Sequence, residues 1–143
     1  MKKILILVLS IFIFSCSSDN TINNCNFLLN VSVNATINLN LPQFSQLINI
    51  GNPVRLEGQG NGGIIIIRTG SQTLRAWDGA DPSRQFSSCS ILSIVGVNAV
   101  SGCGEDIEYN LITGQSIGEN QQPCTLLPYR VESIGNNQFL ITN

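Results

Sequence analysis

The chain has 143 residues, 43% of them apolar and only 11% charged, with a net charge of −2 and no histidine. That length fits one domain, and the apolar share supplies a core and argues against disorder. So few basic residues exclude a nucleic-acid binder that works by neutralising phosphates, and the missing imidazole excludes His-based triads, most zinc enzyme sites and an intact histidine-ligated iron–sulfur centre.

Met1-Lys2-Lys3 is a positive start, and residues 4–14 are apolar apart from Ser10. That stretch has the length of a signal-peptide core and is too short to span a bilayer. Ile13-Phe14-Ser15-Cys16, followed by Ser17-Ser18-Asp19-Asn20, resembles a bacterial lipobox. The resemblance implies a signal peptide over residues 1–15, cleavage before Cys16 and a lipid on its sulfur, where each buried methylene adds about 0.8 kcal/mol of anchoring. Ser17, where inner-membrane retention would ask for Asp, points to the outer membrane of the cell envelope. After cleavage five Arg would face nine acidic residues, a net charge of −4, so contact with an anionic membrane would rest on the lipid alone.

Residues 16–30 read as an Asn-rich lipidated tether, and residues 31–143 as one all-β domain. Beyond Cys16 the cysteines are Cys25, Cys89, Cys103 and Cys124. An exported compartment favours disulfides, and three pairings stay open. The absence of any Cys-x-x-Cys disfavours a four-thiolate metal site.

Val31-Ser32-Val33-Asn34-Ala35-Thr36-Ile37-Asn38-Leu39-Asn40-Leu41 alternates apolar and polar residues, which predicts a strand with one buried face, ended by Pro42. Phe44, Leu47 and Ile48 predict one helical turn. Gly58-Gln59-Gly60-Asn61-Gly62-Gly63 reads as a flexible turn; a glycine run can cradle phosphate, but no Lys-Ser/Thr follows. Ile64-Ile65-Ile66-Ile67 is a β-branched run for a strand buried on both faces, and residues 73–77 return as the second arm of a hairpin. Further strands are predicted at residues 93–95, 99–100, 107–111, 129–133 and 138–141, with Gly135-Asn136-Asn137 joining the last two. Short strands and frequent turns predict a small antiparallel β-barrel or sandwich.

From Gly63 onward the order of elements resembles the Rieske iron–sulfur fold: a hairpin, a ligand loop, a short hairpin, a second ligand loop, then an aromatic-x-Leu-x-Thr-Gly strand and turn. The residues that carry this are Ala76-Trp77-Asp78-Gly79-Ala80-Asp81-Pro82-Ser83, Tyr109-Asn110-Leu111-Ile112-Thr113-Gly114 and Leu126-Leu127-Pro128-Tyr129-Arg130-Val131. The layout, with Asn38-Leu39-Asn40-Leu41-Pro42, is also similar to a group of flavobacterial lipoproteins. A Rieske cluster takes two Cys thiolates on one iron and two His nitrogens on the other. The resemblance puts Asp81 and Ser83 at the first Cys and His positions, and Ser101 and Gly104 at the second. Cys89 and Cys103 fall near the family's two non-ligand cysteines, which implies a disulfide bridging the loops; closing that loop is worth about 3 kcal/mol in the chain-entropy model. The resemblance thus implies a Rieske-like domain with two loop tips, a kept disulfide and no cluster.

The expected role is a lipid-anchored, non-catalytic envelope protein that binds an unidentified envelope partner or acts structurally, with no nucleic acid, metal or cofactor. Its binding loops would present Trp77, Asp78, Glu105, Asp106 and Glu108, although an aromatic ending a hairpin strand is more often core. Asp78, Asp81, Glu105, Asp106 and Glu108 would suit Ca²⁺ only if they converge, and no EF-hand spacing is present. Ser83, Ser87, Ser88, Ser90 and Ser101 lack a G-x-S-x-G setting and read as loop residues. The competing reading is an electron-transfer protein with a [2Fe–2S] cluster, which needs Cys25, Cys89, Cys103 and Cys124 reduced and convergent. A third is an enzyme acting through the acidic loops.

Overall fold

A computed structural model describes residues 24–143. The expected signal peptide, Cys16 and the first part of the tether lie outside the described residues. Within them are strands β1 (Asn34–Asn38), β2 (Pro53–Leu56), β3 (Ile64–Gly70), β4 (Thr73–Asp78), β5 (Ser93–Val95), β6 (Asn98–Val100), β7 (Glu108–Asn110), β8 (Ser116–Ile117), β9 (Pro128–Gly135) and β10 (Gln138–Thr142). They form a larger sheet in the order β1-β10-β9-β4-β3-β2 and a smaller one in the order β5-β6-β7-β8, with every pairing antiparallel. The all-β expectation holds.

β3 is the centre of the molecule. Ile64, Ile65, Ile66 and Ile67 are all fully buried. Because successive side chains of a strand point to opposite faces, Ile64 and Ile66 join one core with Ile37, Phe44, Leu47 and Phe139, while Ile65 and Ile67 join a second with Trp77, Tyr109, Leu111 and Leu126. The first core lies on one face of the larger sheet, and the second, on the other face, joins the smaller sheet to it.

The alternation from Val33 to Leu39 places Val33, Ala35, Ile37 and Leu39 inside, with Asn34 and Thr36 exposed. The ladder is shorter than the pattern because Leu41 N–H turns back to Asn38 O at 3.0 Å. Pro42 then opens a 3₁₀ segment, Pro42–Ile48, where a fixed φ and a missing N–H cost nothing. That segment is the helical turn expected at Phe44, Leu47 and Ile48; it buries Phe44 and Leu47 and leaves Ile48 exposed. The Asn136-Asn137 turn takes φ values of 52° and 58°, the double left-handed geometry that a two-residue hairpin loop requires.

Two strands were not expected. β2 is a half-buried edge strand beginning with Pro53, a residue tolerated at an edge. β8 is only two residues long. The tether also differs from expectation. Cys25 is bonded to Cys124, Leu29 N–H donates to Asn61 Oδ1 at 3.0 Å, and Asn143 Nδ2 donates to Asn30 Oδ1 at 2.9 Å. Residues 24–30 are therefore strapped to the rest of the described residues.

Candidate functional site

Two loops leave one end of the smaller sheet: residues 79–92, between β4 and β5, and residues 101–107, between β6 and β7. The first is pinned to itself, with Asp81 N–H on Ser90 O at 2.9 Å and Leu92 N–H on Gly79 O at 2.8 Å. Arg55 of β2 reinforces its base by donating to the carbonyls of Gly62 and Leu92. Three links join the loops to each other: the Cys89–Cys103 disulfide, Gly102 N–H on Cys89 O at 3.2 Å, and Arg84 Nη1 on Cys103 O at 2.9 Å.

Asp81 sits under this junction with no exposed surface. Its Oδ1 accepts from Ser83 N–H at 2.9 Å, Ser83 Oγ at 2.7 Å and Tyr109 Oη at 2.7 Å. Arg84 Nε lies 3.0 Å from Oδ2, an ion pair without the alignment of a full hydrogen bond. The buried Ser101 hydroxyl adds to the carboxylate's stabilisation in the same loosely aligned way. Burial pushes the Asp81 carboxyl up, but the hydrogen bonds from Ser83, Tyr109 and Ser101 outweigh it and hold the group below its ordinary value. Tyr109 moves the other way: burial, then its bond to the Asp81 carboxylate, hold the phenol well above the ordinary range.

Asp78, three residues earlier, is a second buried carboxylate. It accepts from Asn61 N–H at 2.7 Å, Asn61 Nδ2 at 2.9 Å, Gly62 N–H at 3.1 Å, Ala80 N–H at 2.9 Å and Tyr129 Oη at 2.6 Å. The glycine run expected to be a flexible turn is thus an anion cradle, and the anion is the chain's own side chain. The close fit needs bare backbone: a Cβ at Gly79 would meet Gly62 O at 2.2 Å.

The expected binding loops change accordingly. Trp77 is core: it is 6% exposed, and its Nε1 donates to Leu111 O at 2.7 Å. Asp78 and Asp81 are sealed in, so neither reaches a partner or a shared cation. Glu108 is half-buried and accepts from Asn98 Nδ2 at 2.7 Å. Glu105 and Asp106 are exposed on the second loop. Ser83 is half-buried beside Asp81, Ser101 is buried, and Gly104 is exposed on the rim. The polar network itself was not read from the sequence. Its only local signal was Asp81-x-Ser83, a spacing at which an Asp side chain caps the N–H two residues on.

At Asp81, Ser83, Ser101 and Gly104, where the sequence resemblance implies the Rieske ligand positions, the chain offers a carboxylate, two hydroxyls and bare backbone. Asp81 is committed to Ser83, Tyr109 and Arg84, and the sulfurs of Cys89 and Cys103 are committed to each other. This donor set does not fit a [2Fe–2S] cluster, which needs thiolates and imidazoles. The four cysteines stand in two pairs, Cys25–Cys124 and Cys89–Cys103, instead of converging as the electron-transfer alternative requires. Among the described residues, no group of three or more His, Cys, Asp or Glu is placed to hold a metal ion.

No protein-family model and no curated protein matches the sequence. Among solved structures the chain is similar to the ferredoxin of carbazole 1,9a-dioxygenase from Nocardioides aromaticivorans IC177, at 12% identity over 78% of this chain and 96% of that one, with a TM-score of 0.48. It is also similar to a quaternary ammonium Rieske monooxygenase, at 16% identity over 79% of this chain but 31% of that one, with a TM-score of 0.49. Hairpin, bridged loop, short hairpin, second bridged loop and the Tyr109 strand with its Thr113-Gly114 turn follow one another in the described residues, in the order that the sequence resemblance to the Rieske fold implies.

Proposed function

We propose that this chain is a lipid-anchored protein of the bacterial cell envelope, held in the outer membrane through Cys16, in which a Rieske-like domain acts structurally or binds an envelope partner without catalysis. The observation that carries the reading is the Asp81 network. Where the fold would place a thiolate on iron, a buried carboxylate is closed off by Ser83, Tyr109 and Arg84. With no His in the chain, the four donors of such a cluster cannot be assembled. The lipobox-like Ile13-Phe14-Ser15-Cys16 supports the anchor, and Ser17 supports the outer membrane. The tip around Glu105 and Asp106 is exposed, as are residues 85–89 of the first loop, and these are the surfaces the loops offer a partner.

The test is a visible absorption spectrum and an iron assay on protein purified without oxygen. Colourless material with iron far below one per chain is the expected result; a reddish-brown sample with stoichiometric iron overturns the reading. The anchor is tested separately by mass spectrometry of the mature N-terminus, where an unmodified Cys16 would remove it.

A further inference from the structure

We propose that Cys89–Cys103 is an exchangeable disulfide that takes two electrons from an external dithiol, with Cys89 Sγ as the point of attack. The two disulfides of the domain differ in what happens to the leaving sulfur. In Cys25–Cys124, attack on exposed Cys25 would leave a thiolate on Cys124, which is only 4% exposed. A thiolate expelled where water barely reaches is costly, so this pair resists exchange. In Cys89–Cys103, Cys89 is exposed and Cys103 half-exposed at the tip of the two loops. Exposed disulfides are the labile ones.

A hydroxyl stands within reach of both sulfurs, so it can donate to Cys103 as that sulfur leaves in the first step and, more closely, to Cys89 as it leaves in the second. Ser87 Oγ lies 3.2 Å from Cys89 Sγ and 3.9 Å from Cys103 Sγ. A disulfide sulfur has no proton, so the hydroxyl is the donor. A hydrogen bond to a sulfur that becomes a thiolate strengthens as the charge develops, which lowers the thiol's pKa and makes it a better leaving group. Breaking the bond would not free the loops, because Gly102 N–H still holds Cys89 O, Arg84 still holds Cys103 O and Tyr109 still holds Asp81. The reduced pair stays juxtaposed, so the exchange is reversible.

The steps balance. A thiolate of the dithiol attacks Cys89 Sγ, the Sγ–Sγ bond breaks, and its electron pair leaves on Cys103. The dithiol's second thiolate attacks its own sulfur in the mixed disulfide and expels Cys89. The dithiol becomes a disulfide, and its two electrons and two protons pass to Cys89 and Cys103.

The test incubates the full chain with graded dithiothreitol, quenches with an alkylating reagent and counts label on each cysteine by peptide mass. Cys89 and Cys103 are expected to label at least about tenfold faster than Cys25 and Cys124, with Trp77 fluorescence unchanged. Ser87→Ala should slow that labelling several-fold, and Ser87→Thr, which keeps the hydroxyl, should restore it. Equal labelling of the two pairs, labelling only as the Trp77 signal is lost, or the same rate in Ser87→Ala overturns the proposal.

Discussion

The Tyr129 hydroxyl donates to Asp78 Oδ2 at 2.6 Å, across the β4–β9 pairing and in a place closed to water. Tyr109 makes the matching contact with Asp81 Oδ1 at 2.7 Å, so both tyrosines of the chain are spent on buried carboxylates. Each cannot ionise without placing a phenolate beside a carboxylate. Burial first, and the bonded carboxylate second, raise both phenols above their ordinary value of 10.0.

The consequence is an alkaline one. A folded-state value raised above the unfolded one contributes stability that is complete below about pH 10 and is lost as pH climbs toward the folded value. Ultraviolet titration should show no phenolate at pH 11 while the chain is folded. In denaturant both tyrosines should ionise near 10. A folded sample giving a phenolate near pH 10 would show that one of the hydroxyls is free of its carboxylate.

Asp81 sets the acid side. Its carboxyl is held below 3.8, so its contribution to stability is complete above that value and disappears as pH falls through the folded value. Asp81→Asn leaves partly exposed Arg84 without its anion and the Ser83 and Tyr109 donors facing a neutral amide, a loss of about 2–3 kcal/mol. Urea denaturation followed by Trp77 fluorescence should show that loss at pH 7. The variant should also lose less stability than the native chain between pH 5 and pH 3.

Gly114 lies directly against Trp77. Its φ is +78°, and a Cβ there would meet the indole at 2.6 Å from Cη2. Both faults fall on the same substitution, so Gly114→Ala should cost about 2–4 kcal/mol. The Trp77 emission should also shift to the red as the ring is pushed from its site. Gly104→Ala, with nothing within 4 Å of its Cβ but φ of +88°, serves as the comparison and should cost about 1 kcal/mol.

The two disulfides should differ in thermodynamic weight. Cys25–Cys124 spans 99 residues and Cys89–Cys103 spans 14. In the chain-entropy model those spans correspond to about 5 and about 3 kcal/mol. Paired Cys→Ser substitutions should therefore lower the melting temperature more when the long-range bridge is removed. An equal drop would mean that the N-terminal strap adds nothing beyond local closure.

Much of the architecture was legible because its signals are local. The alternation from Val33 to Leu39 and the unbroken Ile64–Ile67 run report burial on one face and on two, since a strand's period is two. Asn136-Asn137 reports a turn because few residues accept positive φ. β2 escaped because it opens on a proline and is half-buried at every position, so its burial does not alternate, and β8 because a single apolar residue, Ile117, is all that marks it. Beyond the Asp81-x-Ser83 spacing, the fate of the acidic residues had no local signal. Asp78 and Glu105 look alike as letters, yet one is buried among five donors and the other is exposed.

The amino-acid sequence alone determined the β class, the cysteine set, the lipobox-like start and the absence of any imidazole. Only the tertiary structure decided which carboxylates are interior, which cysteines are partners and where the strapped N-terminal segment lies. The donors around Asp78 come from residues 17 positions before it and 51 after it, and Cys25 finds Cys124 at a separation of 99. A buried charge is stable only where remote backbone and hydroxyl groups converge on it, and that convergence is a property of the folded sheets, not of any segment.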